Sequence, residues 1–147
     1  MSEVVWQPGP DVIRNARLTR YTQWLNETRG LEFADYDALW RWSTDNLEDF
    51  WQSLWDYFDI RSDTEIDRVL ADDSMPGAQW FTGTTVNYAA QVFRHTTPER
   101  PAIVYQGETT ELREVSWAEL EADVAALAEH LRSIGVQPGD RVVGYLP

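Results

Sequence analysis

Four groups of side chains in this 147-residue sequence have residue types and spacings that are worth testing for chemistry. They are a threonine–glycine loop at 82–85, two histidines, several neighbouring carboxylates and a set of aromatic residues between positions 40 and 58. Each group also has a purely structural explanation. The choice between the two explanations decides whether this stretch of sequence can act by itself.

The segment Thr82–Thr85 (Thr-Gly-Thr-Thr) is similar to part of a phosphate-binding loop. A working loop of that kind needs several glycines and a lysine that reaches the outer phosphates. This segment has a single glycine, and all twelve cationic residues of the sequence are arginines. We therefore interpret the segment as a loop that leads into a helix, with Thr84 or Thr85 as the helix cap.

The two histidines, His95 and His130, have no metal-ligand pattern around them. Neither belongs to an H-x-E or H-x-x-x-H motif, and a metal site needs several ligands that converge on one point. Neighbouring acids such as Glu48-Asp49 and Asp72-Asp73 are expected by chance among 25 acidic residues. We therefore expect no catalytic, cofactor-binding or metal-ligating residue in these 147 residues.

The formal net charge of −13 limits the classes of partner. Nucleic-acid binding needs a basic surface that releases counterions from phosphates, and an anionic membrane surface would repel this chain in the same way. The absence of cysteine excludes disulfides and thiolate zinc sites. The N-terminus lacks the pattern of a signal peptide, and no apolar stretch has membrane-spanning length. We expect a cytoplasmic protein with neither a nucleic-acid nor a membrane partner.

The aromatic residues allow two interpretations. They could form a stacking platform for a sugar or a base, which would make the chain a binding module. Their helical spacing favours burial in a core, and for Trp51, Trp55 and Phe58 we expect burial against neighbouring helices. The full set is Trp40, Trp42, Phe50, Trp51, Trp55, Tyr57 and Phe58.

The first half of the chain is predicted to be helical. Apolar residues at mixed three- and four-residue spacing predict a helix from about Asp11 to Gly30, and a short helix is expected over 36–42. A capping box formed by Asp45 and Glu48 is expected to open a third helix, which carries an apolar stripe from 47 to 58. Residues 59–83 are polar and acidic, and they are interrupted by a Pro-Gly pair, so we expect an irregular arm that lies on another element.

The second half changes character. Strands are predicted at 102–105 and 111–115, with a turn between them. Ser116 and Glu119 form a capping box that opens a helix ending at Gly135. The apolar run Arg141–Leu146 predicts a further strand, and strand–helix–strand order predicts a parallel pair with a right-handed crossover. Such a strand is usually covered on both faces, so we expect further sequence downstream to cover it.

A family resemblance lies at the end of this region. The pattern L-x-x-x-G-V-x-P-G-D-R-V at 131–142, after V-S-W-A-E-L at 115–120, resembles the adenylate-forming acyl-CoA synthetase superfamily. In the first half, Y-D-A-L-W-R-W-S at 36–43 and F-W-Q-S-L-W-D-Y-F at 50–58 are similar to the N-terminal region of the acetoacetate–CoA ligase family. W-Q-P at 6–8, W-F at 80–81 and N-Y-A at 87–89 agree with this.

The resemblance implies an α/β fold in which a helical N-terminal region, residues 1–95, precedes the incomplete start of an AMP-binding synthetase domain, residues 96–147. It implies a ligase of lipid metabolism that uses ATP, CoA and Mg²⁺ to convert acetoacetate to acetoacetyl-CoA. The family's ATP loop and catalytic lysine would lie in the remainder of the synthetase chain. Two alternatives stay open: an acetyl- or other short-chain acyl-CoA synthetase, and a non-catalytic aromatic-rich binding or scaffold module.

Overall fold

The computed structural model of the chain describes residues 5–145. These residues divide into two compact units, Met1–Val86 and Asn87–Pro147, which we call unit 1 and unit 2. In the described residues, unit 1 holds four helices and a two-stranded hairpin, and unit 2 holds two helices and a second hairpin. No helix within 5–145 is both long and apolar enough to cross a bilayer.

The helix predicted to run unbroken to Gly30 is in fact two helices, α1 (Pro10–Asn15) and α2 (Arg17–Arg29). Ala16 separates them with an extended ψ of 141°. The carbonyl of Ile13 accepts the Thr19 hydroxyl at 2.6 Å. A side-chain bond of this kind competes with helical backbone bonding, which gives a physical reason for the break that hydrophobic spacing does not reveal.

The end of α2 and the beginning of the next helix follow the sequence signals. Gly30 has a φ of 67°, and its N–H donates to the carbonyl of Asn26, so the predicted helix end is confirmed. α3 (Tyr36–Asp45) starts at Asp35, whose carboxylate accepts the N–H of Ala38 at 2.8 Å. The helix predicted for 36–42 is confirmed and continues three residues further.

α4 (Leu47–Tyr57) confirms the helix that was predicted from the apolar stripe, but the predicted capping box is wrong. Asp45 is the last residue of α3, and a single residue, Asn46, joins the two helices. The Asn46 side chain donates to the carbonyl of Trp42 at 3.1 Å. It therefore caps the end of α3 and makes no side-chain cap bond to α4.

The core of unit 1 lies between α2, α3 and α4. Tyr21, Leu25 and Leu39 are its buried apolar residues, and Leu25 has no exposed surface. On the side of the core, Arg29 donates to Asp56 at 2.5 Å and its guanidinium lies 5.7 Å from the Trp24 ring centre, which ties α2 to α4. The partly buried residues packed against the core are Trp24, Leu31, Phe33, Trp42, Phe50, Leu54 and Tyr57.

Residues 59–83 are not an irregular arm. They contain β1 (Arg68–Asp72) and β2 (Gln79–Thr82), which pair antiparallel with Leu70 opposite Trp80. The expectation that this stretch lies on another element is confirmed, because α4 packs against β1. The sequence does not predict this hairpin, because the strand register is irregular between Leu70 and Asp72. Phe81 also has a positive φ of 46°, so the two-residue alternation of a strand is interrupted.

In unit 2, α5 (Tyr88–Phe93) is capped by Asn87, whose side chain accepts the N–H of Ala90 at 3.1 Å. The prediction that Thr84 or Thr85 caps this helix is wrong. The Thr84 hydroxyl donates to the Phe81 carbonyl, and the Thr85 N–H donates to the hydroxyl of Thr64. Both threonines therefore form their hydrogen bonds within unit 1.

The two strands predicted after residue 101 are β3 (Ile103–Tyr105) and β4 (Arg113–Val115), which pair antiparallel. α6 (Trp117–Ser133) follows, and its capping box is complete. The Glu119 N–H donates to the Ser116 hydroxyl, and the Ser116 N–H donates to the Glu119 carboxylate at 2.8 Å. The Ser116 N–H and the Ser116 hydroxyl both donate to the Glu119 carboxylate, and these two hydrogen bonds hold the pKa of Glu119 below its ordinary value.

The strand predicted over 141–146 is not present at 141–145, and Leu146 lies outside the described residues. In the described part of the chain, β4 pairs with β3 alone, so the predicted parallel pair is absent there. A strand is defined by hydrogen bonds to a neighbour, and an apolar run does not supply that neighbour. The preceding turn is present, with the Gln137 N–H donating to Asp140 at 2.7 Å.

Candidate functional site

The loop at Thr82–Thr85 does not form a phosphate cradle. Asp67 lies directly against Gly83: a Cβ added at that glycine would stand 2.5 Å from the Asp67 Oδ2. The Asp67 N–H also donates to the Thr82 carbonyl at 2.9 Å. A carboxylate beside the loop would repel a phosphate, so the geometry agrees with a connecting turn between the hairpin and α5.

The histidines and carboxylates do not converge. His95 and His130 are both exposed, and no group of three or more potential metal ligands occurs among residues 5–145. Asp72 has a local role in its turn, where its carboxylate accepts the N–H of Ser74 at 2.9 Å. That hydrogen bond lowers the pKa of Asp72. Glu48 and Asp49 stand in the first turn of α4, where negative charge stabilises a helix.

The aromatic residues form a connected series of ring contacts in unit 1. Trp42 contacts Phe50 at 5.9 Å between ring centres, Phe50 contacts Trp51 at 5.5 Å, and Trp51 contacts Trp80 of the hairpin at 5.5 Å. Trp55 contacts Phe81 at 4.8 Å. Two residues of the α4 stripe, Trp51 and Trp55, therefore pack on the hairpin, a neighbour that the sequence does not predict.

The predicted burial of α4 holds only in part. Trp55 is half-buried, but Trp51 is 41% exposed and Phe58 is 52% exposed, so the expectation of burial is wrong for these two. The hairpin contacts Trp51 and Trp55 of the stripe, and Phe50 and Leu54 of the same stripe pack against the three-helix core. Helical spacing identifies the apolar face of a helix, but it does not show how much of that face other elements cover.

The buried polar contact of unit 1 joins α2 to α4. The Tyr21 hydroxyl lies 2.5 Å from the Ser53 hydroxyl, and Ser53 has no exposed surface. Ser53 donates its single hydrogen to the Phe50 carbonyl at 2.6 Å, so Tyr21 is the donor in the pair. Burial raises the pKa of Tyr21 above its ordinary value of 10.0.

This raised pKa gives the chain a specific alkaline sensitivity. A group whose pKa is higher in the folded state stabilises the fold below its unfolded pKa, and this contribution is lost as pH rises through the folded pKa. We expect the free energy of unfolding to fall above about pH 10, and Tyr21→Phe to reduce that slope. Urea unfolding at a series of pH values from neutral to alkaline measures this slope. Tyr88→Phe, at a position that is 82% exposed, is the control. Equal slopes in the two variants would contradict the assignment.

A groove between α2, α3 and α4 is the most site-like cavity of unit 1. Its volume is about 640 Å³, within the range of about 300–1,000 Å³ that is usual for small-molecule pockets. Leu39, Phe50 and Leu54 are among its apolar lining residues. Other lining residues remain well exposed, with Tyr36 at 64%, Trp40 at 54% and Phe58 at 52%.

The charge in the groove is positive. Arg17 and Arg20 line it, and no acidic residue does. Because the two arginines are three residues apart on α2, their side chains lie on the same side of that helix. Within residues 5–145, neither guanidinium has an ion pair. The groove thus combines aromatic surface with two unpaired cations, in a chain whose net charge is −13.

Sequence reasoning did not predict the groove, although it named four of the aromatic residues that line it: Trp40, Phe50, Tyr57 and Phe58. It took the aromatic residues of α3 and α4 as one set, and it did not include Tyr36, Arg17 or Arg20. The available signal was the i, i+3 spacing of two arginines on a predicted helix. That signal becomes meaningful only when α2 is known to lie beside α3 and α4.

Two family models match consecutive parts of the chain. The model described as the acetyl-coenzyme A synthetase N-terminus matches residues 36–92, and the model described as AMP-binding enzyme matches residues 90–147. The solved structure of acetoacetyl-CoA synthetase from Streptomyces lividans is 48% identical, with a TM-score of 0.91, over 99% of this chain and 23% of that one.

Curated relatives agree with the structural match. Acetoacetyl-CoA synthetase of Gallus gallus is 36% identical, and that of Macaca fascicularis is 35% identical, each over 99% of this chain. Acetoacetyl-coenzyme A synthetase of Rhizobium meliloti (strain 1021) is 29% identical over 97% of this chain. The chain spans 22% of the length of each of these relatives.

Proposed function

We propose that the chain forms the N-terminal part of an AMP-forming acetoacetate–CoA ligase, because it matches the N-terminal region of acetoacetyl-CoA synthetases. The observation that carries this proposal is the agreement in both sequence and fold along nearly the whole chain. That agreement includes the helical region of unit 1 as well as the beginning of the AMP-binding region, which acyl-CoA synthetases of many specificities share.

The proposed reaction has two steps. The carboxylate of acetoacetate attacks the α-phosphorus of ATP, which forms acetoacetyl-adenylate and releases diphosphate. The thiol of CoA, as it loses its proton, then attacks the acyl carbonyl and displaces AMP, which gives acetoacetyl-CoA. We propose that the parent enzyme uses Mg²⁺, which would supply neutralisation of phosphate charge when bound.

The residues of this chain do not fit the phosphates of ATP. The sequence contains no lysine, and the one loop that resembles a phosphate site carries the Asp67 carboxylate against Gly83. Residues 5–145 offer no ligand cluster for Mg²⁺ either. We therefore propose that these 147 residues contain no catalytic, cofactor-binding or metal-ligating residue, and that the remainder of the synthetase chain supplies them.

We propose that residues 1–95 form the helical N-terminal region and that residues 96–147 begin the AMP-binding domain. Their role would be structural, with the α2–α3–α4 core and its hairpin forming a rigid support. The small-molecule partners would be acetoacetate, ATP and CoA, and we expect no nucleic acid or membrane among the partners. The proposed location is the cytoplasm.

The full-length protein tests the function directly. We expect acetoacetate to drive exchange of labelled diphosphate into ATP, and AMP to appear together with the thioester once CoA is added. Acetate is the matched control, because one of the family models describes acetyl-coenzyme A synthetases. Faster exchange with acetate than with acetoacetate would replace the proposed substrate, and no exchange with either acid would refute the ligase.

The chain of 147 residues provides the second arm of this experiment. Because it lacks lysine and a phosphate loop, we expect exchange indistinguishable from that of a heat-denatured sample. A circular dichroism spectrum with helical signal would show that the tested chain is folded. Measurable exchange by the folded chain would overturn the proposed absence of catalytic residues.

A further inference from the structure

The groove between α2, α3 and α4 has a polarity that its role in a structural core does not require. This groove has two guanidinium groups, Arg17 and Arg20, and no carboxylate, although the chain holds 25 acidic residues and only twelve basic ones.

The groove also exposes aromatic surface next to these charges. Tyr36 and Trp40 of α3 and Phe58 after α4 are each more than half exposed while lining the cavity. Ser43 is not an open donor for a ligand, because its hydroxyl already donates to the Trp40 carbonyl at 2.7 Å. An anionic ligand in the groove would therefore accept hydrogen bonds from the arginines, and its apolar part would lie against the aromatic rings.

We propose that this groove binds an amphiphilic carboxylate, a small molecule with one anionic group and an apolar body. Unpaired arginines bind carboxylates through charge-assisted, often bidentate hydrogen bonds. Aromatic side chains offer a large apolar surface on which an apolar body can be buried. A volume of about 640 Å³ holds such a molecule in full. The proposal does not depend on ATP binding, and it stands whether or not the proposed ligase activity is correct.

Calorimetric titration of the full-length protein with octanoate tests the proposal. Octanol is the matched neutral probe and octylammonium the matched cationic one. We expect octanoate to bind with the highest affinity of the three. The double variant Arg17→Gln/Arg20→Gln should weaken octanoate binding by about tenfold or more, since it removes two charge-assisted contacts. Tyr36→Ala, at a position that is 64% exposed, should weaken octanoate and octanol binding alike.

Arg41→Gln is the control variant, because Arg41 is an exposed arginine of α3 that does not line the groove. We expect it to leave octanoate binding unchanged. Octanoate binding that is insensitive to Arg17→Gln/Arg20→Gln would overturn the proposal. It would mean either that octanoate binds elsewhere, such as an acyl pocket, or that another segment covers the groove. Equal affinity for octanoate and octanol would also overturn it. Diphosphate exchange by the double variant should stay at the unmodified level, which separates this site from catalysis.

Discussion

Replacing Leu25 by alanine is expected to lower the free energy of unfolding of this chain by about 2–5 kcal/mol, the usual cost of emptying a core leucine position. Leu25 has no exposed surface and lies with Tyr21 and Leu39 at the centre of unit 1. Because α2, α3 and α4 all pack around this point, the cavity would touch each helix. Urea denaturation followed by circular dichroism measures the change.

Leu18→Ala is the matched control, because it makes the same substitution on the same helix at a position that is 46% exposed. We expect a cost of about 1 kcal/mol or less, since little buried surface is lost. A loss for Leu25→Ala no greater than that for Leu18→Ala would mean that the three-helix core contributes little to stability.

Replacing Ser53 by alanine is expected to cost about 1–3 kcal/mol, which is the penalty for a buried donor without a partner. Tyr21 donates to Ser53 at 2.5 Å, and the site has no exposed surface at Ser53. The alanine removes the acceptor but leaves the Tyr21 hydroxyl in place. The loss of stability therefore comes from the tyrosine, not from the missing serine.

The double variant Tyr21→Phe/Ser53→Ala distinguishes this explanation from a simple loss of packing. Once the hydroxyl is gone, no unpaired donor remains, and we expect the double variant to recover part of the stability that Ser53→Ala loses. Unfolding free energies of the two single variants and the double variant form the required cycle. Strict additivity of the two substitutions would contradict a coupled pair.

The parts of the fold that local signals determine were predicted from the sequence. Gly30 ends α2 with a positive φ, and the Ser116–Glu119 capping box opens α6. The apolar stripe of α4 also marked a real helix. In each case the signal and the structure involve residues within a few positions of each other, so no tertiary information was needed.

The errors arose where distant contacts decide the structure. The hairpin of β1 and β2 has a register shift after Leu70 and a positive φ at Phe81, and it packs on α4 through pairs such as Trp55 and Phe81. The short strands carry little periodicity of their own, and their stability comes from the helix beneath them.

The candidate groove could be predicted only in its components. The aromatic lining residues of α4 and Trp40 of α3 were named from the sequence because aromatic side chains are conspicuous, whereas Arg17 and Arg20 belong to a helix that is distant in sequence. Tyr36 entered the sequence analysis only as the first residue of a family motif, not as a member of the aromatic set. Which of these residues share a cavity depends on how three helices pack, and hydrophobic spacing does not specify a packing angle.

The contact between Trp51 and Trp80 has an optical consequence. Their indole rings lie 5.5 Å apart with an angle of 59° between the ring planes, close enough for their electronic transitions to couple. Such coupling produces an exciton couplet in the far-ultraviolet, superimposed on the helical signal. Helix content read from that spectrum alone would be biased. The couplet itself would report whether the hairpin is packed against α4, separately from the signal that reports helix formation.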